Sequence, residues 1–178
     1  MLFRSIAGDD RWGVGANYAM THGTVTFGLG AGYGVDTRQD ASTTVNGFDV
    51  KYTAFSAGLK ESGSGLFLSG DWTRRDTTPP GGVSASATNV FINGGWAKNV
   101  TGAGDTTIHV SYDRSTGITN LSGIDSVAHV TAVGIDQKID AAESHVYLQY
   151  EQTTIDTPVG NDAAETFSAI TAGMAIKY

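Results

Sequence analysis

Alternation of apolar and small or polar residues is the first signal in this chain. From Thr24 to Asp36 it reads TVTFGLGAGYGVD, with Val25, Phe27, Leu29, Ala31, Tyr33 and Val35 on one parity. The other parity holds Thr24, Thr26, Gly28, Gly30, Gly32, Gly34 and Asp36, none with a large apolar side chain. Successive side chains of a strand point to opposite faces, so this stretch has one greasy face and one nearly bare face. Its length suits a tilted membrane-crossing strand, which needs roughly 9–11 residues.

The same pattern recurs along the chain. Trp12, Val14, Ala16, Tyr18 and Met20 alternate with Gly13, Gly15 and Asn17, and Thr21-His22-Gly23 is the expected turn into the opening stretch. A third strand is expected over about Phe48–Lys60. There Phe48, Val50 and Tyr52 suggest one face and Phe55, Ala57 and Leu59 the other, which a β-bulge near Thr53 reconciles. Further stripes are Leu66–Trp72, Val90–Trp96, Ile108–Tyr112, Val146–Tyr150 and Ile170–Tyr178, together with a strand near 126–137 whose facing the pattern leaves open. Polar stretches at 37–47, 74–86, 114–125 and 153–163 read as long loops, alternating with short turns. Residues 1–10 read as irregular or a loop remnant, and 11–178 as one β domain. About nine strands in an up-and-down meander predict an all-β, transmembrane antiparallel barrel. A solenoid is disfavoured, because its strands are shorter and its repeat tighter.

Aromatic placement supports a lipid-facing stripe. With alternate strands running up and down, Tyr33, Trp72, Tyr112 and Tyr150 fall at one end of the stripe, joined by Trp12. Tyr18, Trp96 and Tyr178 fall at the other. Two aromatic girdles then bracket an aliphatic band. The distance from Trp12 to Tyr18 is roughly 20 Å of strand. The competing reading is a soluble or surface β-sandwich of adhesin type, whose greasy face is a core. It leaves the glycine-rich face unexplained, since a solvated face gains from charged and long polar side chains.

Composition narrows this further. The 178 residues carry 11 Lys and Arg against 18 Asp and Glu, a formal net charge of −7 that argues against nucleic acid as partner. There is no cysteine, which removes thiolate chemistry and disulfide scaffolds. No run of about 18 apolar residues predicts a membrane helix. No leader is expected in Met1–Ile6, where Arg4 interrupts any apolar core, so a secreted form is expected to be mature or cut from something longer.

Segments such as Gly13–Tyr18, Gly30–Tyr33, Ala57–Leu59 and the closing Ala172–Tyr178 resemble the strands of Gram-negative general porins. That resemblance implies a sixteen-stranded outer-membrane barrel, a homotrimer, and passive diffusion of ions and small hydrophilic solutes. Nine strands then suggest the carboxyl-terminal portion of a larger porin. The alternative is a ten-stranded barrel in which residues 1–6 add a strand.

On the parity opposite the stripe stand Arg11, Asp36, Asp71, Arg75, Asp113 and Glu151, with Lys177 near the other end. Lys51 and Arg38 join them if the third strand permits. In a porin these residues line the pore, where a ring of one sign favours the opposite ion. Arg74 falls on the stripe parity at its edge. His22, His109, His129 and His145 show no metal spacing, and no cofactor is expected. His109, Ser111 and Asp113 share a face, which keeps an outer-membrane barrel hydrolase as a minor alternative. The expected protein is not an enzyme.

Overall fold

The computed structural model describes residues 10–37, 49–79, 84–119, 125–156 and 165–176. They form β1 (Asp10–His22), β2 (Val25–Thr37), β3 (Asp49–Glu61), β4 (Leu66–Thr78), β5 (Ala85–Lys98), β6 (Thr106–Thr119), β7 (Asp125–Ile139), β8 (Ser144–Asp156) and β9 (Glu165–Ile176). All nine lie in one antiparallel sheet, each strand paired with the next in chain order. The expected meander is therefore present, while β1 and β9 have no strand on their outer edges among the described residues.

One end of the sheet, the near rim, carries the tight connections. Gly23, at φ 61°, allows a two-residue hairpin over Gly23–Thr24, which overlaps the expected turn only at Gly23. The Ser62 amide donates to the Thr24 carbonyl at 2.9 Å, tying the next turn to this one. In that turn the Glu61 carboxylate accepts from the Gly63 amide at 2.8 Å. Across it, the Trp96 indole N–H donates to the Ser64 carbonyl at 2.7 Å and Lys98 Nζ to the Gly63 carbonyl at 3.1 Å. A short 3-10 turn, Asp140–Ala142, joins β7 to β8.

The opposite end, the far rim, differs from the sequence pattern in three respects. Strands β4, β5, β6 and β8 continue through residues expected to be loop, as far as Thr78, from Ala85, to Thr119 and to Asp156. Alternation fades there because both faces are polar, while the backbone ladder goes on. The contrast between short and long connections is consequently weaker than expected. Residues 99–105 at the near rim outnumber residues 120–124 at the far rim. Finally, β3 has no bulge at Thr53: its register with β2 and β4 is unbroken. The one register shift among the described residues lies between Ser115 and Ile118 of β6, at Gly117 (φ 71°). A glycine takes that left-handed conformation without a Cβ penalty.

Residues opposite one another across a ladder share a face, so the register assigns every described strand. The stripe face carries Leu29, Phe55, Leu68, Ile92, Val110, Val133, Leu148 and Ile170 in one band across all the strands from β2 to β9. These side chains are bare: Leu29 is 58% exposed and Ile170 74%. Only Val50 and Ala132 are buried hydrophobic residues among those described. A contiguous exposed apolar face across a single-layer sheet marks a surface made for a membrane or for another protein rather than for water.

The other face, the glycine face, is kept low by a repeated device. In three ladders a large side chain covers the glycine directly opposite it: Phe67 over Gly95, His109 over Gly134 and Tyr147 over Gly173. Each ring leans over its partner, and a Cβ built on Gly134 would come within 2.6 Å of the His109 ring. Gly134→Ala is therefore expected to cost about 1 kcal/mol or more through the displaced ring. In the His109→Ala background most of that cost should vanish. A double-mutant cycle by urea unfolding checks it.

Candidate functional site

Two lines of aromatic rings on the stripe face define the geometry from which any function has to be read. Tyr33, Trp72, Tyr112 and Tyr150 stand on β2, β4, β6 and β8, towards the far rim. The hydrogen-bonded row through Tyr33 crosses Thr53 and reaches β4 at Arg74, two residues beyond Trp72. The row through Trp72 crosses Val90 and reaches β6 at Arg114, two residues beyond Tyr112. The row through Tyr112 crosses Thr131 and reaches β8 at Gln152, two residues beyond Tyr150. Each step is two residues over two strands. The second line obeys the same rule, because the row through Tyr18 reaches β5 at Ile92, four strands on and four residues short of Trp96.

Both lines therefore climb one residue per strand. With a rise of roughly 3.3 Å per residue and a strand spacing of about 4.8 Å, the lines become level when the strands tilt by about 35°. That lies at the lower edge of the strand tilt found in closed barrels. The tilt also revises the band height: roughly 20 Å of strand from Trp12 to Tyr18 rises only about 16 Å. Apolar side chains continue past Tyr18 to Met20, bringing the band to roughly 22 Å, near the 25 Å of outer-membrane barrels.

Ring contacts fix parts of this array. Trp12 and Tyr33 approach to 5.5 Å between centroids, and Phe55 stacks on Trp72 at 5.8 Å. Tyr112 Oη hydrogen-bonds His129 Nδ1 at 2.7 Å, and Tyr150 Oη donates to Ser168 Oγ at 3.0 Å. Trp12, Tyr18, Tyr33, Trp72, Trp96, Tyr112 and Tyr150 all occupy the stripe face. Tyr178 lies outside the described residues.

Six of the seven residues singled out as pore-lining share the glycine face: Arg11, Asp36, Asp71, Arg75, Asp113 and Glu151. Lys51 does not. The unbroken register of β3 puts it opposite Val35 and Asp76, on the stripe face beyond the aromatic line. Its expected facing depended on the bulge that β3 lacks, so Val50 and Tyr52 take the glycine face instead. Arg38 and Lys177 lie outside the described residues.

The six do not act alike. Arg11 Nε donates to Asp36 at 2.9 Å, and the Asp36 side chain is only 10% exposed, so this pair largely neutralises itself. Asp71 lies one residue before Trp72, whereas Asp113 and Glu151 lie one residue after Tyr112 and Tyr150, so along the aromatic line Asp113 and Glu151 share a height and Asp71 stands two residues closer to the near rim. Asp113 accepts two hydrogen bonds from Asn89 Nδ2, at 2.7 and 2.8 Å, and one from Ser115 Oγ at 3.2 Å. Phe91 lies in register between Asp71 and Asp113.

The trio His109, Ser111 and Asp113 shares the glycine face of β6. His109 leans over Gly134, Asp113 is held by Asn89 and Ser115, and no hydrogen bond links the three among the described residues. Nor do the described residues contain a group of three His, Asp or Glu placed to hold a metal ion. The His145 Nδ1–Asp136 contact of 2.7 Å lies by the near rim, with the His145 ring 6.1 Å from that of Tyr147.

No protein-family model, curated protein or solved structure matches the chain.

Proposed function

We propose that this chain builds part of the wall of an outer-membrane β-barrel porin. The stripe face meets lipid, and the glycine face borders a water-filled passage for passive diffusion of ions and small hydrophilic solutes. The observation that carries this reading is the common climb of the two aromatic lines, one residue per strand. A soluble sandwich has no reason to level its aromatic residues at the tilt of a barrel; a bilayer with two interfaces does. Small residues with leaning rings keep the opposite face low, as a passage needs.

Strands β1 and β9 run in the same direction, since eight antiparallel steps separate them. An all-antiparallel closure therefore takes an odd number of further strands, whether one, for a ten-stranded barrel, or seven, for a sixteen-stranded one. The resemblance to general porins favours seven and a homotrimer. No cofactor and no covalent chemistry enter this function. The carboxylates Asp71, Asp113 and Glu151 on the glycine face favour cations over anions.

Planar-bilayer recording on the complete barrel tests this. Stepwise, ohmic conductance is expected, with a reversal potential in a salt gradient showing cation preference. That preference should weaken in Asp71→Asn/Asp113→Asn/Glu151→Gln. Folded, inserted protein that conducts nothing contradicts the proposal.

A further inference from the structure

Charges on the stripe face are layered at the far rim, and the layering follows the same oblique frame as the aromatic rings. Arg74 lies two residues beyond Trp72, and Arg114 two beyond Tyr112. Lys51, opposite Val35, stands one step further out. The acids lie beyond them: Asp76 is four residues past Trp72, Asp156 six past Tyr150, and Asp49 is paired with Thr78 at the end of β4. From the apolar band outward the order is aromatic, cationic, anionic. His129, opposite Arg114, is held between Tyr112 and Asp156, with its Nε2 3.6 Å from the Asp156 carboxylate.

Below the cations the same face holds an open apolar trough of about 1000 Å³. Ala57 and Gly70 form its floor, with Leu29, Phe55, Leu68 and Trp72 among its walls. Trp72 thus belongs to the trough and stands next to Arg74 on the same face of β4. Arg74 Nε donates to both Asp76 oxygens, at 2.9 and 3.1 Å, and Nη2 to Ser86 at 3.2 Å. The guanidinium keeps further N–H groups for another acceptor. Lys51 and Arg114 make no side-chain hydrogen bond among the described residues, and both are exposed.

We propose that this rim is a collar for anionic lipid. Arg74, Arg114 and Lys51 take headgroup phosphates, and the trough beneath Arg74 seats an acyl chain. The inference rests on the membrane reading above and adds to it a preferred lipid. An amphiphile with an apolar tail and a phosphate at its first polar layer matches the order of surfaces met from the band outward. Arginine suits phosphate through its forked donors, and lysine as a point charge.

Spin-labelled phosphatidylglycerol and phosphatidylcholine, each a trace component of phosphatidylcholine vesicles holding the inserted protein, provide the test. Electron paramagnetic resonance reports the fraction of each label immobilised at the protein surface. Phosphatidylglycerol is expected to associate about three-fold more strongly, an advantage that shrinks in high salt. Lys51→Gln/Arg114→Gln should remove most of it, and these residues have no hydrogen-bonded partner to strand. Arg74→Gln/Asp76→Asn, which removes both members of the pair, should reduce it as well. Equal association of the two lipids, or a preference unchanged in both variants, overturns the collar while leaving the wall intact. Absence of any immobilised lipid overturns the membrane reading, and the collar with it.

Discussion

Leu29→Arg is expected to destabilise the folded, membrane-inserted protein by about 2–4 kcal/mol, the cost of a cation near the middle of a barrel's lipid face. Asn17→Arg, on the glycine face of the neighbouring strand, should cost less than about 1 kcal/mol if that face borders water. The two positions are a matched pair. Asn17 stands opposite Gly30, and Leu29 is the next residue of the same strand, pointing the other way. Urea titration of folding into phosphatidylcholine vesicles measures both. Equal costs, or a larger cost at Asn17, contradict the assignment of faces.

Gly95→Val is expected to cost about 3 kcal/mol or more, and to prevent stable pairing of β5 with β6. A Cβ at Gly95 would lie 2.2 Å from the Ile108 carbonyl oxygen and 2.9 Å from His109 Cα, both on the neighbouring backbone. It would also meet the Phe67 ring at 2.9 Å. Removing that ring with Phe67→Ala is therefore not expected to restore stability, unlike the side-chain rescue at Gly134. Gly13 is the contrasting case. Its nearest neighbour would be 3.5 Å away, an ordinary contact, so Gly13→Ala should change stability by less than about 1 kcal/mol. Equilibrium unfolding of the three variants separates a glycine required by close backbone approach from one that merely keeps the face low.

Much of the sheet was legible in the sequence because period-two alternation survives wherever one face is apolar and the other small. Strands β1, β2, β4, β5, β6 and β8 follow from their stripes, and the facing of their aromatic residues with them. Strand β3 was harder. Val50 and Tyr52 are apolar residues on the glycine face, and Lys51 is a charge on the stripe face beyond the band, so parity inverts at the rim without any change of register. The bulge expected at Thr53 was the wrong remedy for that inversion. Strand β7 was illegible for a related reason. Val130 and Ala132 on one face oppose Val133 and Ile135 on the other, leaving alternation nothing to separate.

Among the candidate site residues, parity alone placed Arg11, Asp36, Asp71, Arg75, Asp113 and Glu151 on one face. It could not show that Arg11 and Asp36 neutralise each other, which requires the β1–β2 register. The cationic layer at the far rim was missed for the same reason. Parity puts Arg74 at the edge of the stripe, but it leaves Arg114 in a loop and sends Lys51 to the other face. Only the register, carried strand by strand, brings the three to neighbouring heights.

The central claim is that one face of the sheet lies in lipid and the other in water. The chain has no cysteine, so single cysteines can be introduced one at a time from Val25 to Thr37 and spin-labelled in the inserted protein. Accessibility to oxygen, which concentrates in lipid, is then compared with accessibility to a water-soluble relaxing agent. Labels at 27, 29, 31 and 33 are expected to favour oxygen, and those at 28, 30, 32 and 34 the aqueous agent. Water-accessible labels on both parities, or protection of both from the two agents as in a packed protein core, would contradict it.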